Sequence, residues 1–502
     1  MPSILEFLTD RILTMDPSDA LFAAGVKARK MYNQTGESQY VSEAVRNHQA
    51  ALDIRVPDHP RRPDSLFHTA MALWAECEGA VTKESSSTVI AHYDEALRLL
   101  LDKPDKHGRR AIIYTNLGEV YFTLFRLEKK APDAFPPTGS NIGKAIENYG
   151  SALQLRLAKH DPTRPISLIN LSIALIQEGR NDGLMSAIIY LREAEALCTT
   201  KSTRRPLLLL ALDNLAQAYD RHYHYSDDIN DVVEKVKVLQ RVLDFTEEGK
   251  GRLVPLVNVT NARWGLCEIE HNRRDDLDEA VLRGREALKL SDGSDNSLHN
   301  KALITLANVL AARYVQTSSK NVTDLDQAIQ YYREAINPDR PGPVLCSSLA
   351  SAIYIRCQDF EEVEGATLED AISYNQEALH TCPKDDPRYH RMQNNLGCIY
   401  LTQFNKWGEE SDLVKAIQAF EDAVSHCPDD NDDLTDYQNT LKDAKRALQD
   451  KRKGGKDKRK GRKDKLFVST KSKLRRSRLG PASWRSARSS DESCMARPVS
   501  II

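Results

Sequence analysis

Residues 395–428 read NLGCIYLTQFNKWGEESDLVKAIQAFEDAVSHCP, and this stretch decides the fold. Its second half places small or apolar residues at Ala416, Ile417, Phe420, Ala423 and Val424, with Lys415, Gln418, Glu421 and Asp422 between them. The spacing i, i+1, i+4, i+7, i+8 is one stripe of an α-helix whose other face is polar. The first half carries Leu396, Gly397 and Tyr400 at the spacing of a second helix, and NKWGEES separates the two. Pro428 ends the later helix, because proline offers no N–H and crowds the preceding turn. The stretch predicts a helix pair.

The pair recurs along the chain. Its second helix returns in EAVRNHQAAL from Glu43, KAIENYGSAL from Lys144, EAVLRGREAL from Glu279, QAIQYYREAI from Gln327 and DAISYNQEAL from Asp370. Looser copies are VIAHYDEAL from Val89, SAIIYLREAE from Ser186 and KVKVLQRVL from Lys235. The preceding helix is marked by Leu117-Gly118, Leu171-Ser172, Leu215-Ala216, Leu306-Ala307 and Leu349-Ala350, with Ala70 and Ala262 at the matching places. Alanine and glycine on the stripes let helices approach closely, and Tyr149, Tyr332 and Phe420 fill the space between layers. Pro57 and Pro383 stand at second-helix ends as Pro428 does. A helix pair cannot bury its apolar face alone, so the copies must stack. The expected fold is all-α, an α-α superhelix (solenoid) of about nine pairs. It occupies residues 1–450, with DLTDYQNTLKDAKRALQ from Asp433 as a polar capping helix, and residues 451–502 form a basic, disordered tail.

These residues resemble the tetratricopeptide repeat, whose pattern is W-x2-L-G-x2-Y, then A-x3-F, then P. The last unit matches at Leu396-Gly397, Tyr400, Ala416, Phe420 and Pro428, with Gln393 where the leading aromatic belongs. The third unit matches at Tyr114, Leu117-Gly118, Tyr121, Ala145 and Tyr149. The likeness covers roughly residues 18–430 but departs in period: first positions at 44, 89, 145, 187, 235, 280, 328, 371 and 416 are 42 to 56 residues apart, against 34 in the standard repeat. The excess lies in the loop between the helices. The chain is similar to the long-period arrays of fungal proteins, and more loosely to that of kinesin light chain. HEAT and armadillo repeats share the period and are the alternative within the same α-solenoid class. Arrays of the fungal kind often precede a CHAT-type cysteine protease domain. The roughly seventy residues after 430 are too few and wrongly composed for it, so the resemblance implies recognition without that catalytic half.

Composition fits a soluble protein with an adequate but not rich apolar supply. Hydrophobic residues make up 41% and charged residues 28%, and mean hydropathy is −0.51. No window approaches the 18–20 apolar residues of a membrane span, and the N-terminus lacks a signal's basic region and cleavage site. The nine cysteines stand singly without a C-x-x-C and read as reduced, packed thiols. Three hints of chemistry read as local structure. GSNIGKA from Gly139 is one residue short of a P-loop and puts Ala145 where the magnesium-binding Ser or Thr belongs. His222, His224, Asp227 and Asp228 have metal-binding residue types but fall in a loop without ordered spacing. Asp429, Asp430, Asp432 and Asp433 lack the glycine and distal glutamate of a calcium loop and read as a capped turn. No catalytic, cofactor or metal site is expected, and the chain is not read as an enzyme.

The resemblance implies that the first helix of each pair lines a concave face and that the residue before the leucine points to a ligand. Here that residue is Asn116, Asn170, Asn214 and Asn395. A carboxamide both donates and accepts, so a ladder of them grips an extended peptide; the same residues can equally bridge adjacent repeats. Lys301 and Arg391, four to five residues ahead of their anchors, suit a carboxylate clamp or plain solvation. Charge is divided: 17 Lys and Arg stand against Asp457 and Asp464 in residues 451–490, and the first 450 residues carry a net −16. The tail reads as a nuclear-import signal or an intramolecular strap ahead of a non-specific nucleic-acid or anionic-membrane contact, with a plain solubilising segment as the further alternative. The function expected is a scaffold or adaptor binding protein or peptide partners; the alternative is a regulatory or targeting subunit of a separately encoded enzyme such as a protease. The place expected is the cytoplasm, with the nucleus open to it through the tail.

Overall fold

Each amphipathic stripe named above folds as an α-helix in the computed structural model. Described are residues 16–77, 80–101, 103, 106–130, 140–156, 161–199, 204–270, 273–292, 296–317, 321–337 and 341–454. They form two compact units, one up to His222 and one from Tyr223 on. The first holds α1 (Pro17–Thr35), α2 (Ser38–Ile54), α3 (Arg62–Glu76), α4 (Lys83–Leu100), α5 (His107–Lys130), α6 (Asn141–Gln154), α7 (Arg164–Glu178), α8 (Asn181–Thr199) and most of α9 (Arg205–Ser226). The second holds α10 (Ile229–Phe245), α11 (Leu253–Ile269), α12 (Arg274–Ser291), α13 (Asn296–Gln316), α14 (Val322–Ala335), α15 (Pro343–Asp359), α16 (Leu368–Thr381), α17 (Tyr389–Trp407), α18 (Glu410–His426) and α19 (Leu434–Gly454). Among the described residues the one β-type pairing is an isolated bridge, Val363 to Ala366.

Packing follows chain order. In the first unit α1 packs on α2, α3 on α4, α5 on α6 and α7 on α8, and α2, α4 and α6 also meet the next first helix. In the second unit the pairs are α11 with α12, α13 with α14, α15 with α16 and α17 with α18, and α19 covers α18 as the expected cap. The first small residue of the stripe, Ala44, Ala145, Ala280, Ala328, Ala371 or Ala416, is fully buried in each case. These alanines are where helices come closest, and a larger side chain there would hold the pair apart.

Helix ends show why the sequence breaks where it does. Pro17, Pro63, Pro165 and Pro343 sit in the first turns of α1, α3, α7 and α15, where a missing N–H costs nothing. Proline therefore opens first helices as well as closing second ones. Thr82 and Thr367 cap α4 and α16 in reciprocal boxes with Ser85 and Asp370. Gly408 ends α17 at φ 81°, and its N–H bonds to the Phe404 carbonyl at 2.7 Å; that left-handed turn favours glycine. The acidic turn at 429–433 is held by Asn431, whose side chain accepts from the Asp433 N–H at 2.9 Å. Helix α19 runs on through Lys451 to Gly454, past the expected boundary at 450. Residues 1–15 and 455–502, with the tail reading, lie outside the described residues.

Candidate functional site

The four asparagines and two basic residues sit on first helices, α5, α7, α9, α13 and α17. Their surroundings differ from an open groove. Asn116 is 8% exposed, Asn170 1% and Asn214 2%. Asn116 Nδ2 donates to the Tyr93 hydroxyl of the preceding second helix, α4, at 3.1 Å. Asn214 Nδ2 donates to the Leu210 carbonyl of its own helix at 2.8 Å. Asn395 is half-buried, and its Nδ2 lies 3.4 Å from Ser351 Oγ on the neighbouring first helix α15. Lys301 is exposed. Arg391 is half-buried and turned to the cap, with Nε 3.5 Å from Asp433. The expectation of a solvated surface at these asparagines is corrected at three of four positions, Asn116, Asn170 and Asn214, which are buried; Asn116 and the half-buried Asn395 reach the adjacent pair. The remaining pairs also place a polar residue here, as Thr260 and Thr305, both buried, and Ser348. Each unit thus carries a row of polar residues at this place of its first helices.

Next to this row stands the leucine–glycine anchor. A Cβ on Gly118 would lie 2.5 Å from the Tyr149 ring, and one on Gly397 2.6 Å from the Phe420 ring. Both rings are fully buried. The glycine of the first helix is small because the aromatic of the second helix lies flat against it. The repeat is tetratricopeptide-like. No family model matches the chain, and no curated protein matches it. Among solved structures it is similar to a protective antigen of uropathogenic Escherichia coli displaying an SLR fold, at 14% identity over 86% of this chain and 80% of that one, with a TM-score of 0.32. It is similar also to yeast Tom70, at 13% identity over 86% and 97% with a TM-score of 0.24, and to the P58(IPK) TPR domain, at 14% over 86% and 99% with a TM-score of 0.23. The tetratricopeptide-like reading rests on the chain's own helix pairs and anchors.

Three features of this tetratricopeptide-like array escape a sequence reading. The first is a link between pairs. Arg55, just past α2, is fully buried; its Nε donates to Ser18 Oγ at 3.1 Å, Nη1 to Ser65 Oγ at 2.8 Å and Nη2 to Asp19 at 2.6 Å. It ties its own first helix to the next. Arg156 repeats the device after α6, donating to Thr115 Oγ1 at 3.2 Å and to Ser167. Arg62 and Arg164, opening the following helices, bond Glu95 at 2.8 Å and Glu193 at 2.7 Å and donate to the Arg55 and Arg156 carbonyls. The signal was there to find: RPDSL from Arg62 and RPISL from Arg164 each follow a lone arginine by seven or eight residues.

A second feature is a ring cluster. At the place of Tyr149 and Phe420, the first pair carries His48, whose ring lies against Gly25. It stacks on His68 with centroids 5.3 Å apart, and Phe22 stands edge-on to both. Burial, with Arg29 and Arg55 near, pushes the His48 imidazole down to about 4; burial, with His48, Arg109 and Arg29, pushes His68 down to about 3. Both are neutral at pH 7. The third is Asp213, beside Asn214 in α9, whose carboxyl burial alone pushes up to about 6. No alternation or spacing marks it, because its shift comes from burial.

His222 and His224 lie in the last turns of α9, not in a loop as expected. Asp228 caps α10, accepting from the Asn230 N–H at 3.0 Å. Among the described residues no three His, Cys, Asp or Glu side chains gather in a metal-holding group. Lys144 lies one turn into α6 with its ammonium 5.1 Å from the Tyr121 ring centre. Six cysteines are buried and Cys77 and Cys357 half-buried, all as free thiols; Cys494 lies outside the described residues. No helix among these residues is long and apolar enough to cross a membrane.

Proposed function

We propose that the chain is a scaffold or adaptor that binds protein or peptide partners on the face of its first helices. The observation that carries this reading is Lys301. It is exposed on a first helix and has no partner among the described residues, while stacking consumes the apolar stripes around it. A free ammonium there suits an acidic side chain or a terminal carboxylate of a partner. Asn395 supports it as a half-exposed amide whose one neighbour stands at a long 3.4 Å. Asp213 adds an acceptor for a basic group or a backbone N–H. Asn116, Asn170 and Asn214 enter binding indirectly, by holding the helices that carry the exposed groups.

The test is recovery of partners by the intact chain at near-physiological salt, beside Lys301→Glu and Asn395→Ala. The expected result is a protein partner whose recovery falls in the Lys301→Glu chain. Equal recovery by all three chains would place binding elsewhere, and no partner above background would remove the scaffold reading. A single enzyme co-eluting at fixed stoichiometry would favour the regulatory-subunit alternative.

A further inference from the structure

Exposed apolar residues and exposed acids stand together in the chain around the end of α17 and the loop after α15. Trp407 at the end of α17 is 45% exposed, and Val414 in α18 and Val363 in the loop after α15 are similarly open. Glu361, Glu364 and Glu409 are exposed beside them in chain order. Lys406 bonds Glu362 at 2.5 Å and so ties the α15 loop to the end of α17. An exposed tryptophan among valines is surface that water leaves readily once a cover is offered.

What arrives at the end of α17 is the end of α19. Lys451 donates to the Gly408 carbonyl and lies over the Phe404 ring, 4.9 Å from its centre. Arg452 Nε donates to Glu410 at 2.8 Å. Lys451 thus meets the carbonyl end of α17, where positive charge is favoured, and Arg452 meets the Glu410 carboxylate at the start of α18. Helix α19 ends two residues later, at Gly454. Residues 455–465 carry seven lysines and arginines against Asp457 and Asp464, and Leu466, Phe467 and Val468 follow.

We propose that the end of α17 and the loop after α15 form the docking surface for the chain's own residues 455–468. The basic run lies on the glutamates, and Leu466–Val468 covers Trp407 and its valine neighbours. The contacts of Lys451 and Arg452 are the first step of the same path. Fourteen residues reach up to about 45–50 Å when extended, ample to follow this surface, and the tether keeps the segment at high local concentration. Docking would hide the basic cluster until a competing acidic partner, or salt, releases it. The inference stands apart from the first-helix reading above and survives its failure.

The test is zero-length carbodiimide coupling of lysines to carboxylates in the full chain, mapped by mass spectrometry. At about 0.01 M salt, where the Debye length is about 30 Å, Lys456–Lys465 should couple to Glu361, Glu364 and Glu409. At about 1 M, where it is about 3 Å, coupling should fall several-fold. Trp407→Ser, at an exposed position, and Phe467→Ser should each lower it with the helical signal unchanged. Coupling spread evenly over acids elsewhere, such as Asp429 and Asp430, would overturn the proposal. So would coupling found between chains in a mixture of isotopically distinct copies, or coupling that both variants leave untouched.

Discussion

Arg55 and Cys382 occupy the same place in the repeat, each eleven positions after the first small residue of its second helix, Ala44 or Ala371. Both connect two first helices, by opposite chemistry. Arg55 lies in a polar sleeve of Ser18, Asp19 and Ser65. Cys382 lies in an apolar cluster with Cys346, Ala378, Tyr389 and Met392. Ser65 and Met392 are themselves equivalent, each five positions before the small anchor residue Ala70 or Gly397. Elsewhere Arg156 meets Ser167, and Leu100 shares a buried cluster with Ile113. The repeat thus prescribes where a link stands, and the link works with either chemistry provided both ends agree.

The largest expected effect is from breaking the polar link. Arg55→Ala leaves Ser18 and Ser65 buried without their donor, at about 1–3 kcal/mol for each unsatisfied group, while Asp19 keeps Arg61 at 2.6 Å. Cys382→Ala, at the matching place, should cost only about 1 kcal/mol, the value of one small apolar group. Chemical denaturation of the full chain, with hydrogen exchange to assign which helices open, measures both. Equal losses would break the comparison. It is sharpened by Arg55→Met combined with Ser65→Ala, which should lose less than the two single changes added together, since neighbours in one network couple by about 0.5–3 kcal/mol.

Acid should separate the two ends next. At the aromatic position of the repeat, the first pair has His48 and the ninth has Phe420. Unfolded, an imidazole takes a proton near 6.5. Folded, His48 holds off until about 4 and His68 until about 3, faced by Arg29, Arg55 and Arg109. Between those values the unfolded chain binds more protons. Stability of the first pairs is therefore full above about 6.5 and falls as the pH drops below it. His390 is lowered too, by burial and Arg391, but Asp433 opposes the shift, so α17 should respond less. Hydrogen exchange at pH 7 and pH 5 should show α1–α3 opening before α17 and α18. His48→Phe should flatten that dependence; an unchanged slope would show that the ring cluster is not its source.

Smaller effects concern close approach and the polar row. Gly118→Ala drives a methyl into the Tyr149 ring and should cost about 1–3 kcal/mol. Gly284→Ala has its nearest contact at Leu306 Cδ1, 3.0 Å away, and should cost less. Asn170→Ala and Asn214→Ala remove buried amides and should cost about 1 kcal/mol each, more than the same change at half-buried Asn395. Thermal melting of the three variants orders them. If Asn395→Ala proved the most costly, the row would be strongest in the second unit instead.

Sequence alone determined the helix pairs, their nine-fold recurrence, the anchors and the cap. Each of these is written in periodic residues that lie within one or two turns of one another. Small residues at fixed intervals demand helices, and helices with one apolar stripe demand stacking. Tertiary structure alone decided which polar residues are buried. Asn170 and Asn214 look like groove residues in a row of letters, yet neighbouring helices close over them. Arg55 looks like a solvated charge at a helix end, yet Ser18 and Ser65, 37 and 10 residues away, enclose it. Burial, and with it the charge state of His48 and Asp213, depends on atoms brought together across pairs, and periodicity along one helix carries no record of them.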